Sequence, residues 1–152
     1  MSKNVFVIAE QRDGKIMKVS YELVGKAREL ADDLGQDVVA VLMGSGVEAV
    51  AGDLAKAGAD KVIVVDDPML AEYVTEPYAK AVTAVIKAND PEIVIFGASS
   101  IGRDLAPRVS ARIHTGLTAD CTKLEIDPET KLLNMTRPAF GGNTIATIAC
   151  PY

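Results

Sequence analysis

The sequence has few cysteines and histidines, the residues that most often bind zinc and iron–sulfur clusters. Its 152 residues include two cysteines, Cys121 and Cys150, and a single histidine, His114. The cysteines lie 29 positions apart and form no CxxC pair, and one histidine does not complete a four-ligand site with them. These counts argue against a zinc or iron–sulfur centre. His114 falls at the end of a predicted helix, where its charge suits the helix dipole better than a general-base role.

Long apolar runs and a basic leader are also missing. No stretch approaches the roughly 20 apolar residues of a membrane-spanning helix, although hydrophobic residues make up 49% of the chain. The first residues, MSKNVFVIAEQ, enter a predicted strand at once, without the features of a secretory signal or a transit peptide. We therefore expect a soluble, cytoplasmic protein with the length of one domain.

Positive charge is scarce and unevenly distributed. The formal net charge is −5, which argues against nucleic acid as a partner. Residues 1–96 carry a balance of −6, whereas residues 97–152 carry +1. Four of the six arginines lie in this second part, namely Arg103, Arg108, Arg112 and Arg137. Guanidinium groups suit the planar recognition of carboxylates and phosphates, but a solvated helix face explains each arginine equally well.

Short apolar runs alternate with helical periodicity in the first two thirds of the chain. Four β-branched runs predict strands that are covered on both faces, at 4–9, 37–43, 61–65 and 92–96. Helical patterns follow the first three of them, at 20–34, 47–57 and 76–88. Glycine ends the first two helices and Pro91 must stop the third. This order predicts right-handed βαβ units and a parallel sheet.

The pattern changes after His114. Residues 121–126, 132–137 and 143–149 are typical of strands joined by turns, with no helix between them. We therefore predict a three-layer, Rossmann-type α/β fold, with a mostly parallel sheet flanked by helices. An antiparallel or mixed extension is expected after residue 120.

Two glycine-rich loops follow predicted strands and raise the question of phosphate binding. GSG occupies 44–46 and GASSIG occupies 97–102. Neither matches GxxxxGK[ST] or GxGxxG. With Asp104 as the N-cap and Pro107 as the third helical residue, 98–103 remains a loop, and a phosphate there would compete with a carboxylate. Turn and capping roles explain both loops better than phosphate binding does.

Candidate catalytic residues do not assemble into a site. Ser99 and Ser100 have no histidine near them in sequence to activate a hydroxyl. Asp66-Asp67-Pro68 is typical of a turn between a strand and a helix, in which the acids assist the next segment. The sequence predicts no catalytic residue and no metal ligand.

Three motifs carry a resemblance to a known family. The strings GRDLAPRVSARIHTGLTADC (102–121) and TRPAFGGN (136–143) resemble the α subunit of electron-transfer flavoproteins, and VIAEQRDGKI (7–16) is similar to that subunit's first strand and hairpin. The resemblance covers the whole chain and implies that 1–152 form the N-terminal domain, with an adenine-nucleotide-hydrolase-like fold. The family's C-terminal FAD-binding domain is expected to be absent, so that the chain represents a fragment.

The resemblance implies an electron carrier subunit and not an enzyme. FAD is expected in the full heterodimer and not on this chain alone. The domain would dock the β subunit and help form its flavin site, while electrons pass to or from an acyl-CoA dehydrogenase or a similar redox partner. The sequence looks closest to the electron-bifurcating group of the family. The alternative is a free-standing nucleotide-binding α/β module that uses the two glycine loops.

Site residues follow from the same resemblance. The α-type loop at 97–102 is shorter than its nucleotide-binding counterpart in the β subunit, so the loop and the following helix are expected to serve the α–β contact through Arg103, Arg108 and Arg112. The arginine of the RPAxGGN motif, Arg137, is expected to contact the β-subunit flavin. From the residues alone, an ordinary salt bridge is the alternative for Arg137.

Overall fold

The helices and strands follow the alternation that the sequence predicts. A computed structural model describes residues 4–12, 14–89, 91, 93–97, 99–113, 117–121, 123–126, 133–136 and 145–149. The helices are α1 (Lys18–Leu34), α2 (Glu48–Ala57), α3 (Thr75–Asn89) and α4 (Ser100–Ile113), with a 3₁₀ turn at Pro68–Leu70. The described strands are β1 (Val5–Ala9), β2 (Gln11–Arg12), β3 (Lys15–Ile16), β4 (Val38–Gly44), β5 (Lys61–Asp66), β6 (Ile93–Gly97), β7 (Leu117–Cys121), β8 (Lys123–Ile126), β9 (Leu133–Thr136) and β10 (Ile145–Ala149).

The described strands form one large sheet and two short antiparallel pairs. The large sheet has the order β5-β4-β1-β6-β10-β7. Its first four strands are parallel, and β10 runs antiparallel to both β6 and β7. The pairs are β2–β3, which is the predicted hairpin after β1, and β8–β9. The predicted α/β fold with a mixed extension is confirmed, but the extension already begins at Leu117. The sequence did not predict β7 because Thr118 and Asp120 interrupt its apolar pattern.

The central strands are apolar along their whole length because helices cover both faces. All residues of β1, β4 and β6 are buried, whereas the edge strand β5 is only half-buried. Val5, Val7 and Ala9 pack with α1 and α2 in one core, while Phe6 and Ile8 pack with α3 and α4 in the other. Alternate residues of a strand point to opposite faces, so each strand contributes to both cores.

The first two helices end at glycines, as predicted. Gly35 has φ 66° and Gly58 has φ 131°, and their N–H groups donate to carbonyls of the last helical turn. Only glycine adopts a positive φ without a steric cost. These two caps direct the chain into β4 and β5.

Helix α4 begins earlier than the sequence predicts. Its first residue is Ser100, and Ser99 is the N-cap, because the Ser99 hydroxyl accepts the Gly102 N–H at 3.1 Å. The Ser99 carbonyl accepts the Arg103 N–H at 2.9 Å. Asp104 lies in the second turn of the helix. The predicted N-cap at Asp104, with the preceding residues as a loop, is therefore wrong.

Packing of the first turn explains why the helix tolerates an internal proline. Pro107 lies in the interior of α4 and not at its third position. A proline in a helix interior costs about 3 kcal/mol. The side chains of Leu105 and Val109 are buried, and each contributes about 1.5 to 3 kcal/mol. A Cβ atom on Gly102 would lie 1.8 Å from the Gly97 carbonyl oxygen, so the first turn rests directly on the end of β6. Tertiary packing thus outweighs the local preference of proline.

Replacing Pro107 with alanine should stabilise the chain. Pro107 is exposed, so the change leaves the core intact, and an alanine N–H can donate to the carbonyl one helical turn earlier. Greater freedom of the unfolded chain offsets part of the gain. We expect the unfolding free energy in urea to rise by about 1 to 2 kcal/mol.

The matched control is Pro68→Ala. Pro68 is also exposed, but it stands at the first position of the 3₁₀ turn, where proline fits. We expect no gain from this control. An equal gain from both substitutions would show that the position of Pro107 within α4 carries no strain.

Candidate functional site

The sheet changes its direction of growth between β1 and β6. From β1 the chain passes through α1 to β4 and through α2 to β5, and α3 then returns it to β6 on the other side of β1. The connections after β1 and β6 therefore lie on opposite faces of the sheet. Such a switch point leaves a crevice at the carboxyl ends of the strands, where open α/β sheets bind ligands. Glu10 follows β1 at this crevice, and Ser99 follows β6.

Glu10 is the buried acid of this switch-point crevice. It is 6% exposed, and the Ser99 hydroxyl lies 2.7 and 2.8 Å from its two carboxylate oxygens. Burial raises the pKa of Glu10, and the hydrogen bond from Ser99 opposes this rise. The contact joins the ends of two neighbouring strands across the crevice.

The backbone of Glu10 is held from the other face by the start of α1. The Ser20 hydroxyl accepts the Glu10 N–H at 2.7 Å and donates to the Glu10 carbonyl at 3.0 Å. The Met17 N–H donates to the same carbonyl at 2.9 Å. Helices α1 and α4, on opposite faces of the sheet, thus fix one acidic residue between them.

The glycines and serines of the GASSIG loop serve this contact. A Cβ atom on Gly97 would lie 2.7 Å from Glu10 Oε2 and 3.0 Å from Val19 Cγ2, so a larger residue would displace the carboxylate. The Ser99 hydroxyl caps α4 through Gly102 and also binds Glu10. The loop is therefore shaped around a carboxylate of the chain itself.

A small cavity lies beside Glu10. Its polar lining comes from Glu10, Gln11 and Tyr78, and the remainder is apolar. Gln11 is held by the Gly14 N–H at 3.0 Å, and the Tyr78 hydroxyl donates to the Leu70 carbonyl at 2.5 Å. The cavity volume of about 10 Å³ is room for about one water molecule. A nucleotide does not fit in this cavity as it stands.

The GSG loop is likewise bound by an acid of the chain. Gly46 has φ 68° and the following Val47 is right-handed helical, so that their N–H groups form a concave donor pair. The Asp66 carboxylate, at the end of β5, accepts these N–H groups at 2.9 and 3.3 Å. Asp67 accepts the Met69 N–H at 2.8 Å and caps the 3₁₀ turn, which confirms its predicted role. Asp66 is the last residue of β5 and binds the earlier GSG loop, so its predicted role in the next segment is wrong.

The predicted interface arginines lie on α4, where Arg103 and Arg108 are exposed and Arg112 is half-buried. Arg108 Nη1 lies 2.8 Å from Glu76 Oε1, and Arg112 Nη2 lies 2.6 Å from Glu76 Oε2. One carboxylate of α3 therefore binds two guanidinium groups of α4. Exposed ion pairs of this kind contribute about 0 to 1 kcal/mol each. Arg103 lies near the start of the same helix, and the role of all three at a partner interface stays a prediction.

Asp104 joins the entry of α3 to α4. Its Oδ2 accepts hydrogen bonds from the Thr75 hydroxyl and from the Tyr73 hydroxyl, the latter at 2.6 Å. These two bonds hold the pKa of Asp104 below its usual value. Burial and the bond to Asp104 raise the pKa of Tyr73 to about 12. Together with the Glu76 pairs, these bonds fix α3 and α4 against each other.

Two predicted positions lie outside the described residues, namely His114 and the expected flavin contact Arg137. Within the described ranges, no helix combines the length and apolar character needed to cross a bilayer. The described part of the chain also contains no group of three or more His, Cys, Asp and Glu residues placed to hold a metal ion.

Glu10 is the site residue that sequence reasoning missed. The predicted capping role of the GASSIG loop is filled by Ser99, which caps α4, but its bond to Glu10 was not predicted. The available signal was the acid directly after the apolar run VFVIA, because residues at the carboxyl end of a central strand face the ligand side of the sheet.

Comparison with known proteins gives matches over nearly the whole chain. The electron transfer flavoprotein domain matches residues 5–152. An electron transfer flavoprotein subunit alpha from Thermoanaerobacterium thermosaccharolyticum is 56% identical over 149 residues, which is 98% of this chain and 45% of the relative. The acryloyl-CoA reductase electron transfer subunit beta of Anaerotignum propionicum is 44% identical over 171 residues, covering 98% of this chain and 47% of the relative.

A third relative is named as part of a lactate dehydrogenase. The lactate dehydrogenase (NAD(+),ferredoxin) subunit LctC of Acetobacterium woodii is 47% identical over 146 residues, or 96% of this chain and 35% of the relative. The chain thus spans less than half the length of these three curated relatives. Because the domain match covers residues 5–152, the chain belongs to the electron transfer flavoprotein domain family.

Proposed function

We propose that this chain is the N-terminal α/β domain of an electron-transfer flavoprotein α subunit. It docks a β subunit and helps form the flavin site of the heterodimer, and it carries out no catalytic step itself. The names of the relatives support this assignment, since two of the three are described as electron transfer subunits.

The observation that carries the proposal is that both glycine loops are bound by the chain's own side chains. Asp66 accepts the donors of the GSG loop, and Glu10 binds the Ser99 hydroxyl of the GASSIG loop. An anionic ligand at either loop would have to displace a carboxylate. The fold therefore keeps the architecture of a nucleotide-binding domain but uses its loops for internal bonding, which suits a scaffold.

The flavin is proposed to be FAD, held in the assembled heterodimer and not by this chain alone. The redox partner is proposed to be an acyl-CoA dehydrogenase or a similar enzyme, which the name of the Anaerotignum relative supports because that protein belongs to an acryloyl-CoA reductase. The name of the Acetobacterium relative, which includes both NAD(+) and ferredoxin, supports a second proposal, that the heterodimer takes part in flavin-based bifurcation.

Association with a cognate β subunit is the direct test. We expect the two chains to co-elute in gel filtration, and we expect calorimetry of this chain alone with ATP, AMP and FAD to show no micromolar binding. The reason is that the loops that would bind phosphate already bind carboxylates. Micromolar nucleotide binding without co-elution would instead support a free-standing nucleotide-binding module.

Removing the arginine pair should weaken that association. Arg108→Ala with Arg112→Ala removes two guanidinium groups from the surface of α4, and interface arginines often contribute about 1 kcal/mol or more each. We expect the dissociation constant for the β subunit to rise by about tenfold to a hundredfold. Lys26→Ala is the control, because Lys26 lies on α1 at the other face of the sheet and forms a similar exposed ion pair. An unchanged constant in the arginine variant would show that this face is only solvated.

Arg137→Ala tests the proposed flavin contact. A fixed positive charge near the flavin favours its reduced, anionic form, and the attraction between unit charges at about 4 Å is about 1 to 4 kcal/mol depending on screening. We expect a redox titration of the heterodimer to give a lower flavin potential in the variant, with association unchanged. Unchanged potentials together with weaker association would assign Arg137 to the subunit interface.

A further inference from the structure

Neither the proposed docking of a β subunit nor electron transfer requires the buried carboxylate of Glu10. It lies at the carboxyl end of β1, beside the end of β6, which is the position where ligands of doubly wound sheets bind. A charged group in a buried position is costly unless it is paired or hydrogen-bonded. The contacts around Glu10 indicate which function it has.

These contacts give Glu10 the surroundings of a bound anion. The Ser99 Oγ lies 2.7 and 2.8 Å from the two carboxylate oxygens, so that its single proton is shared between them. Gly97 allows the carboxylate to approach the end of β6, since a Cβ atom there would lie 2.7 Å from Oε2. Small residues and hydroxyl donors at the start of a helix are the features that other α/β proteins use for phosphate groups.

The carboxylate also occupies the space that a ligand would need. The cavity that remains beside Glu10 holds about 10 Å³, or one water molecule. A phosphate group placed at Ser99 would meet both the volume and the charge of the carboxylate. The Asp66 carboxylate likewise binds the GSG loop, where it accepts the N–H groups of Gly46 and Val47. A carboxylate of the chain therefore binds each of the two glycine loops.

We infer that Glu10 is a specificity-determining residue that excludes phosphate-bearing ligands from the switch-point crevice. The inference rests on the proposed function, because exclusion at this crevice leaves phosphate-bearing ligands to be bound elsewhere in the heterodimer. The side chain excludes ligands in two ways, by filling the crevice and by repelling an anion. Two substitutions distinguish the effects, because one removes the charge alone and the other removes both charge and volume.

The test uses the whole chain and inorganic phosphate as the probe. Glu10→Gln keeps the shape of the side chain and its hydrogen bond with Ser99 but removes the charge, and Glu10→Ala removes charge and volume. Phosphate is titrated at pH 8, which favours ionised Glu10, and binding is followed by NMR at the backbone amides of Ser99 and Gly102. Glu29→Gln is the control for charge, because Glu29 is exposed on α1.

We expect no saturable shift in the wild-type chain or in the control. Glu10→Gln should give a saturable shift with a dissociation constant at least tenfold below the highest phosphate concentration used for wild type, and Glu10→Ala should bind more tightly still, since it also opens the crevice. Circular dichroism confirms that each variant is folded, and if Glu10→Ala does not fold, Glu10→Gln alone decides. A folded Glu10→Gln without such a saturable shift would overturn the inference.

The outcome is separable from that of the proposed function. Co-elution of the wild-type chain with the β subunit tests the proposed function and needs no phosphate. If co-elution occurs but Glu10→Gln gains no binding, only the exclusion by Glu10 is wrong. If the wild-type chain itself binds phosphate at the Ser99 and Gly102 amides, then exclusion by Glu10 is wrong whatever the variants show.

Discussion

The hydrogen bonds between Ser99 and Glu10 are the interaction on which the rest of the switch-point crevice depends. They join the ends of β1 and β6, the two strands between which the sheet changes its direction of growth. Ser99 also caps α4, and Ser20 of α1 holds the backbone of Glu10. One acidic side chain and two serine hydroxyls therefore connect helices that lie on opposite faces of the sheet.

This arrangement changes the use of a common architecture. In a doubly wound sheet, glycine loops after the strands leave backbone and hydroxyl donors facing the crevice. Here those donors are bound by Asp66 and Glu10, which belong to the chain itself. The internal bonds stabilise the carboxyl edge of the sheet without a ligand.

Much of the fold followed from sequence because its signals are local. The apolar runs of β1, β4 and β6 and the glycines at 35 and 58 fix strands and helix ends through short-range sterics and burial. The start of α4 did not follow, because Pro107 is a strong local signal and the packing of Gly102 on Gly97 is a tertiary one. The burial of Glu10 depends on that same packing, so its position after a central strand placed it on the ligand side of the sheet but did not predict its enclosure. Composition pointed to the arginines of α4. It did not predict that Arg108 and Arg112 share Glu76, because this partner lies 32 and 36 positions away from them.

The bond between the Glu10 amide and the Ser20 hydroxyl has a consequence for how this part of the molecule moves. An amide inside a sheet is released to solvent when neighbouring strands separate. The Glu10 amide instead donates to a side chain of α1 at 2.7 Å. Its exchange with solvent deuterium therefore reports the lifting of α1 from β1 and not the opening of the sheet. A single backbone hydrogen thus gives a measure of how firmly one helical layer is attached to the strands beneath it.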